Sequence, residues 1–196
     1  MNANQKRLLL PMAILALGFV ALIGAAVFVL RSGGDQTRVA SIGGPFALTD
    51  QNGNRVTEAT YRGAPSVVFF GFTHCPDVCP TTLFEITEVL KRLPADKRLS
   101  ALFVTVDPER DTPAALKDYL SSFDPRISGL SGSRAEIDAT LKAYRVYAKK
   151  QPQENGEYSM DHSAIVYLMD KQGRFVSALN LQSPPEAVAK EIQRQM

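Results

Sequence analysis

Ser66-Val67-Val68-Phe69-Phe70-Gly71-Phe72-Thr73-His74-Cys75-Pro76-Asp77-Val78-Cys79-Pro80 holds both cysteines of a 196-residue chain and one of its two histidines. Ser66 to Phe72 is a continuous apolar run with the β-branched and aromatic bias, and the length, of a fully buried strand. Beyond it, Leu83, Ile86, Val89, Leu90 and Leu93 recur at helical spacing and Pro80 suits a first turn, which predicts a helix from about Pro80 to Leu93. The cysteines therefore fall at a strand-to-helix turn. The unpaired N–H groups and positive dipole end of the helix favour thiolate over thiol there, so lowered cysteine pKa values are expected. Cys-x-x-x-Cys spacing also lets both sulfurs face the same way in a partly helical segment. Such a pair can close a disulfide, hold a soft metal, or do both at different times.

Upstream, Leu8 to Leu30 is 23 residues without a charge, enough to cross a hydrocarbon core that needs about 20 helical residues. Pro11 lies in its first turn, where proline is tolerated. Lys6, Arg7 and the α-amine precede the span and keep the N-terminus cytoplasmic by the positive-inside rule, an asymmetry that Arg31 and Arg38 weaken. Gly24-Ala25-Ala26 offers small residues for a signal-peptide cleavage site, but the apolar core exceeds the roughly 7–15 residues usual there, so an uncleaved anchor is the preferred reading. With no cysteine near position 30 and no long Arg/Ser-rich leader, the expectation is a bacterial inner-membrane protein rather than a lipoprotein or a mitochondrial precursor. The expected organisation is a cytoplasmic N-terminus at 1–7, an anchor at 8–30, a glycine-rich tether at 31–44, and a periplasmic domain at 45–196. Disulfides persist in that compartment. One closing so short a loop would stabilise weakly, which favours a functional pair over a structural staple.

The formal net charge is +2, but the domain after residue 42 carries 18 basic and 19 acidic groups, net −1. The basic surplus belongs to the N-terminal appendage, and nucleic acid is not an expected partner. No Walker loop or dinucleotide glycine fingerprint is present.

Along the domain, Phe46–Asp50 and Arg55–Thr57 flank Gln51-Asn52-Gly53-Asn54, a hairpin signal. Leu99–Val106 reads as a strand, followed by Thr112 as a cap with Pro113 opening a helix. Ile127–Leu130 reads as a short strand, and Ser133 with Glu136 as a capping box for a helix to about Tyr144. Residues 149–160 read as a polar loop, closed by Asp161-His162-Ser163 directly before the apolar run Ala164–Met169. Arg174–Asn180 completes a second hairpin, and Ser183-Pro184-Pro185-Glu186 reads as cap and capping box of a last helix. The order βαβαβα, then ββ and a helix, is that of an α/β domain whose first βα turn carries the cysteines.

In such a sheet the junction carrying His162 can lie beside the first βα turn, bringing Cys75, Cys79 and His162 together. Two thiolates and an imidazole are a soft, low-coordinate set suited to copper or zinc. A structural zinc site wants a fourth protein ligand, and none is obvious; three ligands suit Cu(I), and an added water or weak axial group would suit Cu(II). Asp161 is a candidate to orient the imidazole from behind, and an exposed turn acid is the plain alternative. Met160 reads as packing before axial sulfur, and His74 as tuning or turn packing. Asp107, Glu109 and Asp111 lie on the sheet edge where ligands gather, with helix N-terminal charge and a salt link to Arg110 as their preferred roles.

Gly71–Thr81, Val106–Thr112 and Asp161-His162-Ser163 together resemble the Sco/SenC proteins, membrane-tethered, thioredoxin-like copper chaperones that help assemble the copper A centre of cytochrome c oxidase. The resemblance spans essentially the whole soluble region. It implies that Cys75, Cys79 and His162 are copper ligands, for Cu(I), Cu(II) or both, in a thioredoxin-like fold decorated by the N-terminal hairpin and an insertion. The implied acceptor is the oxidase subunit carrying copper A, with another periplasmic copper chaperone as a conceivable donor. A thiol–disulfide reductase keeping that subunit's cysteines reduced is the alternative. The chain departs from ordinary thioredoxins in having three residues between its cysteines and no proline just before Ala164, which counts against generic dithiol activity.

Overall fold

The structure, a computed structural model, describes residues 18–20, 22–24, 42–94, 98–154 and 156–196. The chain divides into two units, Met1–Ala40 and Ser41–Met196. In the first, residues 18–20 and 22–24 are helical, with Phe19, Val20, Leu22 and Ile23 exposed. Among the described residues no helix is long and apolar enough to cross a membrane; most of the span expected at 8–30 and of the tether at 31–44 lies outside them.

The second unit is built on a seven-stranded sheet. In chain order its elements are β1 (Ala47–Asp50), β2 (Arg55–Thr57), β3 (Ser66–Gly71), α1 (Val78–Lys91), β4 (Ser100–Thr105), α2 (Pro113–Leu120), β5 (Ile127–Ser131), α3 (Arg134–Tyr144), β6 (Ala148–Pro152), β7 (Tyr158–His162), β8 (Val166–Met169), β9 (Phe175–Ala178) and α4 (Pro185–Gln193). The sheet runs β2-β1-β5-β4-β3-β8-β9, while β6 and β7 pair with each other as a separate hairpin. The three central strands β5, β4 and β3 are parallel and the flanking ones antiparallel.

β3 is buried along its whole length, as its unbroken apolar run requires. Its alternate side chains serve the two faces of the sheet. Phe69 meets Phe103 of β4, ring centroids 5.9 Å apart, and Phe103 meets Tyr119 of α2; Phe70 meets Tyr144 of α3 and Tyr167 of β8. α1 packs against α4. Full burial of such side chains contributes about 1.5–3 kcal/mol each, which makes this strand the centre of the core.

Local signals mark two of the four helix starts. Thr112 caps α2 by accepting from Ala115 N–H, with Pro113 in the first turn, and Ser133 with Glu136 forms the reciprocal box of α3. α4 differs from expectation. Pro184, not Ser183, is its N-cap, and no side chain caps it. A residue preceding proline is driven out of the α region, and Pro184, held at ψ 137° before Pro185, cannot join the helix. α1 begins at Val78, earlier than Pro80, and β8 begins at Val166 rather than Ala164.

The main correction is the segment 149–160. Instead of a polar loop it forms β6 and β7, in register from Ala148 opposite His162 to Pro152 opposite Tyr158. Neither strand holds a fully buried residue; β6 has no apolar alternation, and in β7 Tyr158 and Met160 alternate with Ser159 and Asp161 too briefly to stand out from the polar residues before them.

Candidate metal centre

The strand register brings the cysteine turn and His162 together. β3 and β4 end level, with Gly71 opposite Thr105, and β8 starts antiparallel to β3 with Val166 opposite Phe69. The residues just before β8 must therefore stand at the end of β3 where the cysteine turn begins. Cys75 N–H donates to the Phe72 carbonyl (3.2 Å), closing that turn. One helical turn later, Cys79 N–H donates to Cys75 Sγ (3.3 Å), so a free helix N-terminal donor already points at the first sulfur.

Cys75 Sγ, Cys79 Sγ and a ring nitrogen of His162 all lie within 4.8 Å of one another, and Cys79 Sγ is 3.5 Å from His162 Nε2. Cys79 is completely buried and Cys75 half-buried, and both are free thiols. A cavity of about 280 Å³ opens over Cys75 and His162, walled by Phe72, Pro76, Val78, Met160 and Ala164 among others. His162 is seated edge-on against Phe72, centroids 5.8 Å apart, and against Phe69 at 6.5 Å. Its Nδ1 lies 3.2 Å from the Ser163 carbonyl, an atom that only accepts, so Nδ1 carries the proton and the Nε2 lone pair faces the sulfurs. Burial lowers the His162 pKa, reinforcing the neutral ring.

The cysteine electrostatics correct one expectation. Burial pushes the Cys79 thiol up rather than down, and the hydrogen bond and charge of neighbouring Cys75 push the same way. Desolvation at a completely enclosed sulfur outweighs the favourable pull of the helix terminus. The absence of a side chain at Gly71 permits this enclosure. A Cβ there would stand 2.8 Å from Cys79 Sγ and 2.6 Å from Phe103 Cε2.

The other expected residues take supporting places. Asp161 is exposed, and its carboxylate accepts from Gln151 Nε2 (2.5 Å) across the β6–β7 hairpin, while the imidazole proton goes to Ser163. Met160 is partly buried against the core at the cavity wall. His74 is exposed, with Nδ1 3.0 Å from Thr73 Oγ1. Of the acidic cluster, Asp107 makes the expected ion pair with Arg110 (2.5 Å), and Glu109 pairs with Lys150 (2.7 Å).

Asp111 has a role its sequence context did not suggest. Fully buried, it accepts from Thr73 N–H (3.1 Å), Thr73 Oγ1 (2.7 Å) and Thr105 Oγ1 (2.6 Å), and Ser131 Oγ donates to its carbonyl (2.7 Å). It ties the cysteine turn to the ends of β4 and β5. Burial raises its pKa against the pull of those bonds. The role of Gly71 is more legible in the sequence, since a glycine ending an apolar strand signals close approach of another group.

The fold of the second unit has solved counterparts. The structure of Bradyrhizobium japonicum ScoI with copper bound is 57% identical, covers 80% of this chain and 100% of that one, and superposes with a TM-score of 0.77. The crystal structure of yeast Sco1 with copper bound is 42% identical over 79% of this chain and 87% of that one, with a TM-score of 0.73. Protein SCO2, mitochondrial, of Saccharomyces cerevisiae is 40% identical over 161 residues, 80% of this chain and 53% of that protein. The chain spans about half the length of the first curated relatives it matches. A family model described as SCO1/SenC matches residues 34–196, and the chain belongs to that family.

Proposed function

We propose that this chain is a copper metallochaperone. It takes one copper ion on Cys75, Cys79 and His162 and passes it by ligand exchange to the copper A site of cytochrome c oxidase, from an anchor in a bacterial inner membrane with the domain in the periplasm. The observation that carries the reading is the convergence of two sulfurs and one imidazole nitrogen within 4.8 Å, with Cys75 and His162 lining an open cavity and Cys79 buried behind them. Two thiolates and an unprotonated Nε2 make a soft, three-coordinate set for Cu(I), and the open side leaves room for the further ligand Cu(II) takes. A half-exposed Cys75 beside a buried Cys79 gives an incoming partner ligand one accessible sulfur to displace first. Only thiolates bind, so each bound thiol sheds its proton as copper enters.

Loading the reduced chain with Cu(I) and with Cu(II) tests this. One copper per chain, with thiolate-to-copper charge-transfer absorption for Cu(II), is expected. His162→Ala removes a ligand itself and should weaken retention by about 100-fold or more, beyond the range for loss of an outer partner. Absence of stoichiometric copper from every reduced preparation would sink the reading.

The unequal exposure of the two cysteines also supports a second reading, reduction of a partner's disulfide. Cys75 thiolate would attack one partner sulfur and release the other; Cys79 would then attack the Cys75 sulfur, freeing the partner dithiol and leaving a Cys75–Cys79 disulfide. This needs no imidazole. Full function in cells of His162→Ala, alongside lost copper retention, would favour it over delivery.

A further inference from the structure

The β6–β7 hairpin ends at His162 yet shares no ladder with the main sheet. Its placement therefore depends on side chains, and a cluster at the opposite end of β7 provides them. Tyr158, the first residue of β7, lies between two cations: the Arg110 guanidinium is 3.7 Å from its ring centroid, and so is Lys150 Nζ. Its hydroxyl donates to Asp107 Oδ1 (3.0 Å), and its carbonyl accepts from Arg110 Nη1 (3.0 Å). Arg110 Nε donates to Asp107 Oδ2 (2.5 Å), and Lys150 of β6 reaches back to Glu109 (2.7 Å). Both strands of the hairpin are thus fastened to the loop after β4.

Arg110 also lies over the Phe72 ring, 5.8 Å from its centroid, and Phe72 meets the His162 ring edge-on. One guanidinium therefore touches the start of β7 directly and its end through a single aromatic ring. Its Nη2 is buried without a hydrogen-bond partner among the described residues. A side chain free to relax would turn that donor to water, so the remaining contacts outweigh its loss. A planar fork that stacks and donates at once suits this place, and lysine cannot reproduce it.

We propose that Arg110 and Tyr158 are positioning residues that hold the hairpin so that His162 Nε2 stands over the cysteine sulfurs. The inference rests on the reading of His162 as a ligand. Its test has an arm independent of metal.

In the reduced, metal-free full chain, Arg110→Met should speed amide exchange over residues 148–162 about tenfold or more while leaving β3 and β4 unchanged, because it frees the hairpin without opening the core. With copper, the same variant should lose retention by about 10–100-fold, the range for outer partners of a metal site, and should shift the charge-transfer band. In a His162→Ala background it should cost nothing further, since it acts only through that ring. Arg110→Lys and Tyr158→Leu should follow the same pattern more weakly, and they decide the matter if Arg110→Met does not fold. Unchanged hairpin exchange in the variants that fold, or a copper loss that adds fully to that of His162→Ala, would overturn the proposal. Failure of the wild-type chain to bind copper would overturn the metal reading alone, because hairpin exchange would still report on the clamp.

Discussion

Gly71 is the residue on which the enclosure of Cys79 depends. Its missing Cβ is the space into which Cys79 Sγ and the Phe103 ring close. Gly71→Ala forces both to move, an overpacking that costs about 1–3 kcal/mol and loosens the cover over the sulfur. A lower urea midpoint is expected, together with faster alkylation of Cys79 in the folded protein; unchanged alkylation would show that Phe103 alone gives way. His162 belongs to the same scale. A single carbonyl, that of Ser163, sets which ring nitrogen carries the proton and so which one faces the sulfurs. The residue types at the site were plain in the sequence, because scarcity singles out two cysteines and two histidines in 196 residues. The direction of the Cys79 shift was not, since it depends on atoms packed around that sulfur from other elements.

Among the elements, the helix starts show how far local chemistry reaches. Thr112 and Ser133 cap α2 and α3 through bonds to residues three positions on, so each is readable from a window of four. Ser183 looks equivalent in such a window and is not, because the proline pair after it shifts the helix start by one residue. Thr112→Ala should therefore cost about 1 kcal/mol. Ser183→Ala, read in the same thermal or urea unfolding series, should be close to silent; an equal loss in both would refute the assignment. The β6–β7 hairpin marks the opposite limit. Its register is held by backbone bonds and by Tyr158 between two cations, contacts that leave no periodic apolar signature.

At the scale of the molecule, Glu136 joins helix α3 to the edge strand β2. It belongs to the capping box of α3 and also accepts from Arg55 of β2 (2.7 Å), 81 residues away. The Arg55 bond, with those from Ser133, brings its pKa from an ordinary 4.5 to about 2. A carboxylate with a depressed folded pKa stabilises the fold above its unfolded value, and that contribution disappears as pH falls from about 4.5 toward about 2. Glu136→Gln should lower stability at neutral pH and flatten the acid limb across that window in a pH series of unfolding midpoints. Arg55 is more than half exposed, so added salt should shrink its share of the effect.

The order of the main-sheet strands and of the helices, the cysteine turn, two of the caps and the three candidate ligands follow from the chain alone, because each is written in residues close in sequence or conspicuous by rarity; the β6–β7 hairpin does not. The approach of His162 to Cys79 across 83 residues, the grip of Asp111 on Thr73 across 38 and the clamp on the hairpin are different in kind. They come from a sheet order that sets the start of β8 beside the end of β3, and from the desolvation and pairing which that neighbourhood imposes. Periodicity and caps report the backbone's local preferences. The burial of a given sulfur, and the placement of a hairpin outside the sheet, are set by groups distant in sequence that meet only once the chain has folded.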